Sequence, residues 1–117
     1  MMWHESGPAL EEVYDLLYWL GLTATSSGFF HLACAVRLAA GQPQRLLVPA
    51  WLYPAVGQRY RVNPETVEGN IRRLSVRAWN NAPGRLSQLA GVALHSAPPP
   101  ARFLSILANS LRGGHAA

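Results

Sequence analysis

The sequence predicts an all-α protein of about six helices with a central helix-turn-helix. Three observations predict it. Apolar residues recur at three- and four-residue steps through most of the 117 residues, the period of amphipathic helices. No alternating run of useful length supports a strand, and there is no internal repeat. Glycine and proline clusters cut the chain into segments of helical length. Two of these segments meet inside Ala50–Asn80 (AWLYPAVGQRYRVNPETVEGNIRRLSVRAWN) at Arg61-Val62-Asn63, a junction of helix-turn-helix length.

Met1 to Gly7 reads as a flexible lead, so residues 1–8 should lie outside the helical core. Pro8 opens the first helix, with Leu10, Val13, Leu17 and Leu20 as its buried stripe. Glu11, Glu12 and Asp15 form its wet side. Gly21 is a natural C-cap. Ser26 or Ser27 caps a second helix, from about Gly28 to Ala40. That helix is apolar nearly all round, which suits a central core helix or a partner-facing one. Gly41-Gln42-Pro43 ends it. A third helix runs from Leu47 or Ala50 to Tyr60, with Val56 and Tyr60 expected to face the core. Pro54 falls inside it, where the missing backbone donor should kink the helix or mark its true start.

The helix after the turn has strong local signals. Asn63 is placed to cap the first turn through its side-chain oxygen, and Pro64 suits the first helical position. Glu65 puts negative charge at the positive end of the helix dipole. Val67, Ile71, Leu74 and Ala78 form one apolar stripe. At about 100° per residue, Glu65, Gly69, Arg72 and Val76 lie roughly opposite, flanked by Glu68 and Arg73. Pattern alone fits a DNA groove or an ordinary amphipathic surface helix equally well.

Asn81-Ala82-Pro83-Gly84 reads as a turn cluster, followed by a short helix from Arg85 to Ala90 that ends at Gly91. Val92 to Pro100 is extended, since three consecutive prolines prevent helix. The last helix, Ala101 to Arg112, buries Phe103, Leu104, Leu107 and Leu111. Gly113-Gly114 stops it, leaving residues 113–117 as a loose tail. One domain spanning 1–117 is expected from the length.

Composition excludes several classes. Half the residues are hydrophobic and 14% are charged, which argues against extended disorder. No apolar run reaches membrane-spanning length, and the N-terminus lacks the order of a signal peptide. A soluble cytoplasmic protein is expected. The single cysteine, Cys34, rules out an internal disulfide and a cysteine-rich zinc module. The histidines are scattered outside any ligand motif. His31 and Cys34 share a helix face, which without further ligands means core packing. Glu11 and Glu12 are adjacent and point apart. With no nucleophile elbow, P-loop or dinucleotide fingerprint, neither an enzyme nor a cofactor is expected.

The charge distribution says more than the net +4. Every basic residue is arginine, and Arg59, Arg61, Arg72, Arg73 and Arg77 fall within the helix-turn-helix. After Glu68 no acidic residue follows. The N-terminal stretch carries Glu5, Glu11, Glu12 and Asp15 and no arginine. Such asymmetry favours a polyanion-facing side. A GC-rich coding bias also replaces lysine with arginine, so the clustering matters more than the residue type.

The motifs Leu52-Tyr53-Pro54-Ala55-Val56-Gly57, Val67-Glu68, Ile71-Arg72 and Ala78-Trp79 resemble those of one family. So do Leu20-Gly21, Gly28-Phe29-Phe30-His31-Leu32 with Ala35-Val36, and Phe103 to Arg112. The family is the C-terminal DNA-binding (effector) domain of the stage-zero sporulation response regulator, and the resemblance covers about Leu10 to Arg112. It implies a sporulation transcription regulator that contacts DNA through Glu65, Thr66, Glu68, Gly69, Arg72 and Arg73. Glu68 matches a base-reading glutamate, able to accept from a cytosine amino group. Arg72 matches a backbone-contacting arginine, and Arg73 replaces a histidine. Gly69 stands where the family has the arginine expected to read guanine, and Glu65-Thr66 replace Ser-Arg. The target sequence is therefore expected to be changed or relaxed.

Double-stranded DNA is the partner implied, with RNA polymerase sigma factor and a second copy on DNA as further partners. The family's usual phosphoacceptor receiver domain has no room in this chain, so activity is expected to depend on abundance or a partner. The competing expectation is a protein-interaction module that keeps the helix-turn-helix scaffold without specific DNA binding.

Overall fold

The stripes and breaks of the sequence become six helices in a computed structural model that describes residues 8–42 and 49–116. They are α1 (Leu10–Trp19), α2 (Ser27–Gly41), α3 (Pro49–Tyr60), α4 (Pro64–Asn81), α5 (Pro83–Ala90) and α6 (Pro100–Ala116). No strand occurs among the described residues. The expected lead Met1–Gly7, Pro43 and the Leu47 start of the third helix lie outside them.

Helix α2 is central, packing against α1, α3, α4 and α6. Its near-uniform apolarity requires this, because Phe29, Leu32, Val36 and Ala39 on one face are buried together with Ala33, Cys34 and His31 on the others. Val13 and Leu17 of α1 with Leu20 just after it, Val56 of α3, and Phe103 and Leu107 of α6 close the same core. No helix of the described residues is long and apolar enough to cross a membrane.

Several local expectations are corrected. Leu10 is 36% exposed because α1 starts there, and its first turn reaches past the core. Tyr60, at the end of α3, is 40% exposed. Pro54 neither starts nor ends its helix, which runs from Pro49 through it. The proline forgoes one backbone bond at an exposed position, where water can serve the freed carbonyl. Neither Asn63 nor Ser26 caps through its side chain. The Asn63 carbonyl instead accepts from the Thr66 and Val67 amides at 3.0 and 3.2 Å.

Asn81 to Gly84 is not a four-residue turn. Ala82 alone separates α4 from α5, and Pro83 takes the first helical position, as Pro100 does in α6. Helix α6 continues through Gly113-Gly114 to Ala116. Glycine weakens a helix by only about 1 kcal/mol per residue and does not by itself stop one. Leu111 is only partly buried.

The α4–α5 corner anchors the end of α1. Gly21 turns the chain at φ 83°, and the Asn81 side chain donates to its carbonyl at 2.9 Å. Arg85 donates to the Trp19 carbonyl at 2.7 Å and lies over the Trp19 ring, 5.1 Å from its centroid. These bonds satisfy carbonyls that a helix end leaves open. Ser75 of α4, fully buried, donates to the Pro98 carbonyl at 2.7 Å and pins the proline linker.

Candidate nucleic-acid interface

The turn between α3 and α4 is tight because the chain folds back onto a glycine. Arg61 adopts a left-handed φ of 61°, and the Val62 amide donates to the Gly57 carbonyl at 2.9 Å. A Cβ at Gly57 would sit 2.5 Å from the Val62 carbonyl oxygen. The Gly57 position thus fixes how closely the two helices join.

Helix α4 divides into two faces. Val67, Asn70, Ile71, Leu74, Ser75 and Ala78 are buried, so the predicted apolar stripe is the inward one. The six expected contact residues share the other side. Glu65, Thr66, Arg72 and Arg73 are exposed, and Glu68 and Gly69 are half-buried. A Cβ at Gly69 would meet only the Arg73 guanidinium, at 3.7 Å. Arg72 pairs with Glu68 at 3.6 Å across one helical turn, an exposed pair worth about 0.3–0.5 kcal/mol. Tyr53 of α3 lies buried near them. Burial raises its pKa, and the Glu68 carboxylate adds to this while Arg72 opposes it.

Sequence reasoning missed how far this face extends. Arg72, Arg73, Val76, Arg77, Asn80 and Asn81 line an open groove of about 530 Å³. Arg77 and Asn80 follow Arg73 at four- and seven-residue steps, a signal available in the spacing. Charge is segregated along the helix, with Glu65 and Glu68 in the first half and Arg72, Arg73 and Arg77 in the second. Glu65 in the first turn suits the positive end of the helix dipole, while no arginine reaches the last turn.

Behind the arginines lies a polar cluster that no local spacing reveals. Asn70, 8% exposed, bonds through its side-chain nitrogen to His31 Nδ1 at 3.0 Å. Its oxygen accepts from Arg73. The Tyr60 ring lies 4.9 Å from the imidazole of His31. Burial lowers the His31 pKa. Burial pushes the Cys34 thiol up, with Arg59 pulling against it, so Cys34 is a core residue rather than a reactive thiolate. Among the described residues no three metal-donor side chains cluster.

The family model described as the sporulation initiation factor Spo0A C terminal matches residues 13–111. The chain belongs to this family. The match takes in all but the first turn of α1 and ends within α6, so it spans the whole helical core and the helix-turn-helix. The family is one of DNA-binding regulatory domains acting in sporulation, not of enzymes. No solved structure matches the chain.

Proposed function

We propose that this chain is a transcription regulator that binds double-stranded DNA through the outward face of α4. The observation that carries it is the row of Arg72, Arg73 and Arg77 along the groove, on a helix whose opposite face is fixed in the core. Arg72 and Arg73 contact phosphates, and Glu68 reads a base edge by accepting from a cytosine amino group. Gly69 supplies no side chain, so the sequence preference differs from that of relatives with arginine there. RNA polymerase sigma factor and a second copy on paired sites belong to the same proposal as partners.

The open space at Gly69 also favours a second reading, a helix-turn-helix retained as a scaffold for protein contacts. Selection of bound sequences from random duplex DNA at two salt concentrations separates the two. On the DNA reading, neutralising Arg72 and Arg73 weakens binding on all sequences alike and lowers the salt slope by about 0.9 per lost phosphate contact. Glu68→Ala changes which sequence is preferred and leaves the slope nearly unchanged. Gly69→Arg shifts the preference toward a guanine-containing site. No duplex binding by the wild type at low salt, with no change on Arg72→Ala/Arg73→Ala, would establish the interaction module instead.

A further inference from the structure

The atom types in the cluster behind Arg73 leave one consistent arrangement. A guanidinium only donates, so the Asn70 atom facing Arg73 is the oxygen Oδ1. Asn70 therefore turns Nδ2 toward His31 Nδ1, 3.0 Å away. An amide nitrogen also only donates, so Nδ1 must accept and the ring proton sits on Nε2. His31 is 2% exposed, and its lowered pKa agrees with a neutral ring. Among the described residues, those that contact the ring include Tyr60 from α3 and, from α4, Asn70 with Arg73 behind it. None of them is a carboxylate that would draw a second proton. Room for Asn70 comes from Gly28, where a Cβ would lie 3.3 Å from the Asn70 side chain.

We propose that Asn70 and His31 are positioning residues for Arg73. Neutral His31 orients the Asn70 amide, and the amide oxygen holds one guanidinium nitrogen while the others stay free for a phosphate. Ordering a free arginine side chain on binding costs rotamer entropy, and a guanidinium already held in place avoids part of it. Arg72 has no such support, since its partner Glu68 keeps 44% of its own side chain in solvent. The proposal rests on the DNA-binding reading and extends it to two residues, from α2 and α4, buried beneath the contact surface.

Two measurements test it. Ring ¹⁵N spectra of the unmodified chain should show His31 as the Nε2–H tautomer at neutral pH, and the Arg73 Nη2 protons should exchange more slowly than those of the other guanidinium nitrogens. An Nδ1–H tautomer, a charged ring or Arg73 Nη2 protons that exchange as fast as the rest would overturn the relay whether or not the protein binds DNA. The second measurement uses a random-sequence duplex at low salt. Asn70→Ala and His31→Gln should each weaken binding roughly tenfold, as expected for losing a hydrogen bond to a charged group. His31→Asn, whose amide oxygen can occupy the Nδ1 position, should restore most of that loss. In an Arg73→Ala background these replacements should cost almost nothing; undiminished losses there would overturn the proposal. The spectra need no variant, so a misfolded Asn70→Ala leaves the relay testable. A wild type that binds no duplex refutes the DNA reading separately.

Discussion

A methyl group added at Gly57 would meet the Val62 carbonyl oxygen at 2.5 Å, whereas one added at Gly69 would meet only the end of a flexible arginine at 3.7 Å. The two glycines of the helix-turn-helix should therefore respond oppositely to alanine. Gly57→Ala must push the turn away from α3 and should cost about 1–3 kcal/mol. Gly69→Ala should gain up to about 1 kcal/mol from helix propensity. Urea unfolding of both variants checks this; midpoints shifting the same way would refute the placement. His31 makes a different prediction. Burial lowers its pKa from the ordinary 6.5, so below that value the unfolded chain binds the proton more readily than the folded one. Stability from His31 is then fully present above about pH 6.5 and is lost as pH falls toward the lowered folded value. Melting temperatures between pH 7.5 and 5 should fall for the wild type and fall less for His31→Asn. The sequence could not reveal this group, because Asn70 and His31 lie 39 positions apart and only the crossing of α2 with α4 brings them together.

Helix α4 shows which features a sequence records and which it leaves out. Its apolar stripe was legible because burial acts on residues three and four apart along one chain. Val67, Ile71 and Ala78 are fully buried and Leu74 is 9% exposed. Ile71→Ala should accordingly cost roughly 2–5 kcal/mol, and an unchanged melting temperature would refute the burial. The central place of α2 was legible for the same reason, since a helix apolar on all sides has no stable home at a surface. Helix ends were read less well. Asn63 and Ser26 have the right chemistry for capping, yet in α4 the backbone carbonyl takes the first-turn amides. Cap geometry depends on how the chain enters the helix, which side-chain type does not determine. Gly113-Gly114 fail as helix breakers because each glycine removes only about 1 kcal/mol. Pro54 costs about 3 kcal/mol, and burial of its neighbours Leu52, Tyr53 and Val56 in the core holds α3 through it.

Charge and core together shape what the molecule can do as a unit. Glu11, Glu12 and Asp15 are exposed on α1, while Arg72, Arg73 and Arg77 gather on α4, so a polyanion should be met by one side of the protein. Phe103, Leu104 and Leu107 of α6 are 0%, 2% and 0% exposed, so the core occupies them and leaves none for self-association. If copies assemble on DNA, the contact must therefore come from another surface. One recognition helix reads only a few base pairs, so a regulator built on this domain alone gains selectivity by occupying paired sites. Each copy on a tandem pair should then bind more tightly than on a single half-site, with the gain set by the spacing between sites. Titration of duplexes carrying one site, two sites in register, and two sites offset by half a helical turn measures this directly. Cooperative assembly predicts tighter binding on the in-register pair and its loss on the offset pair, because a half-turn places the second copy on the opposite side of the duplex. Equal affinity per site on all three duplexes would mean that each copy binds alone.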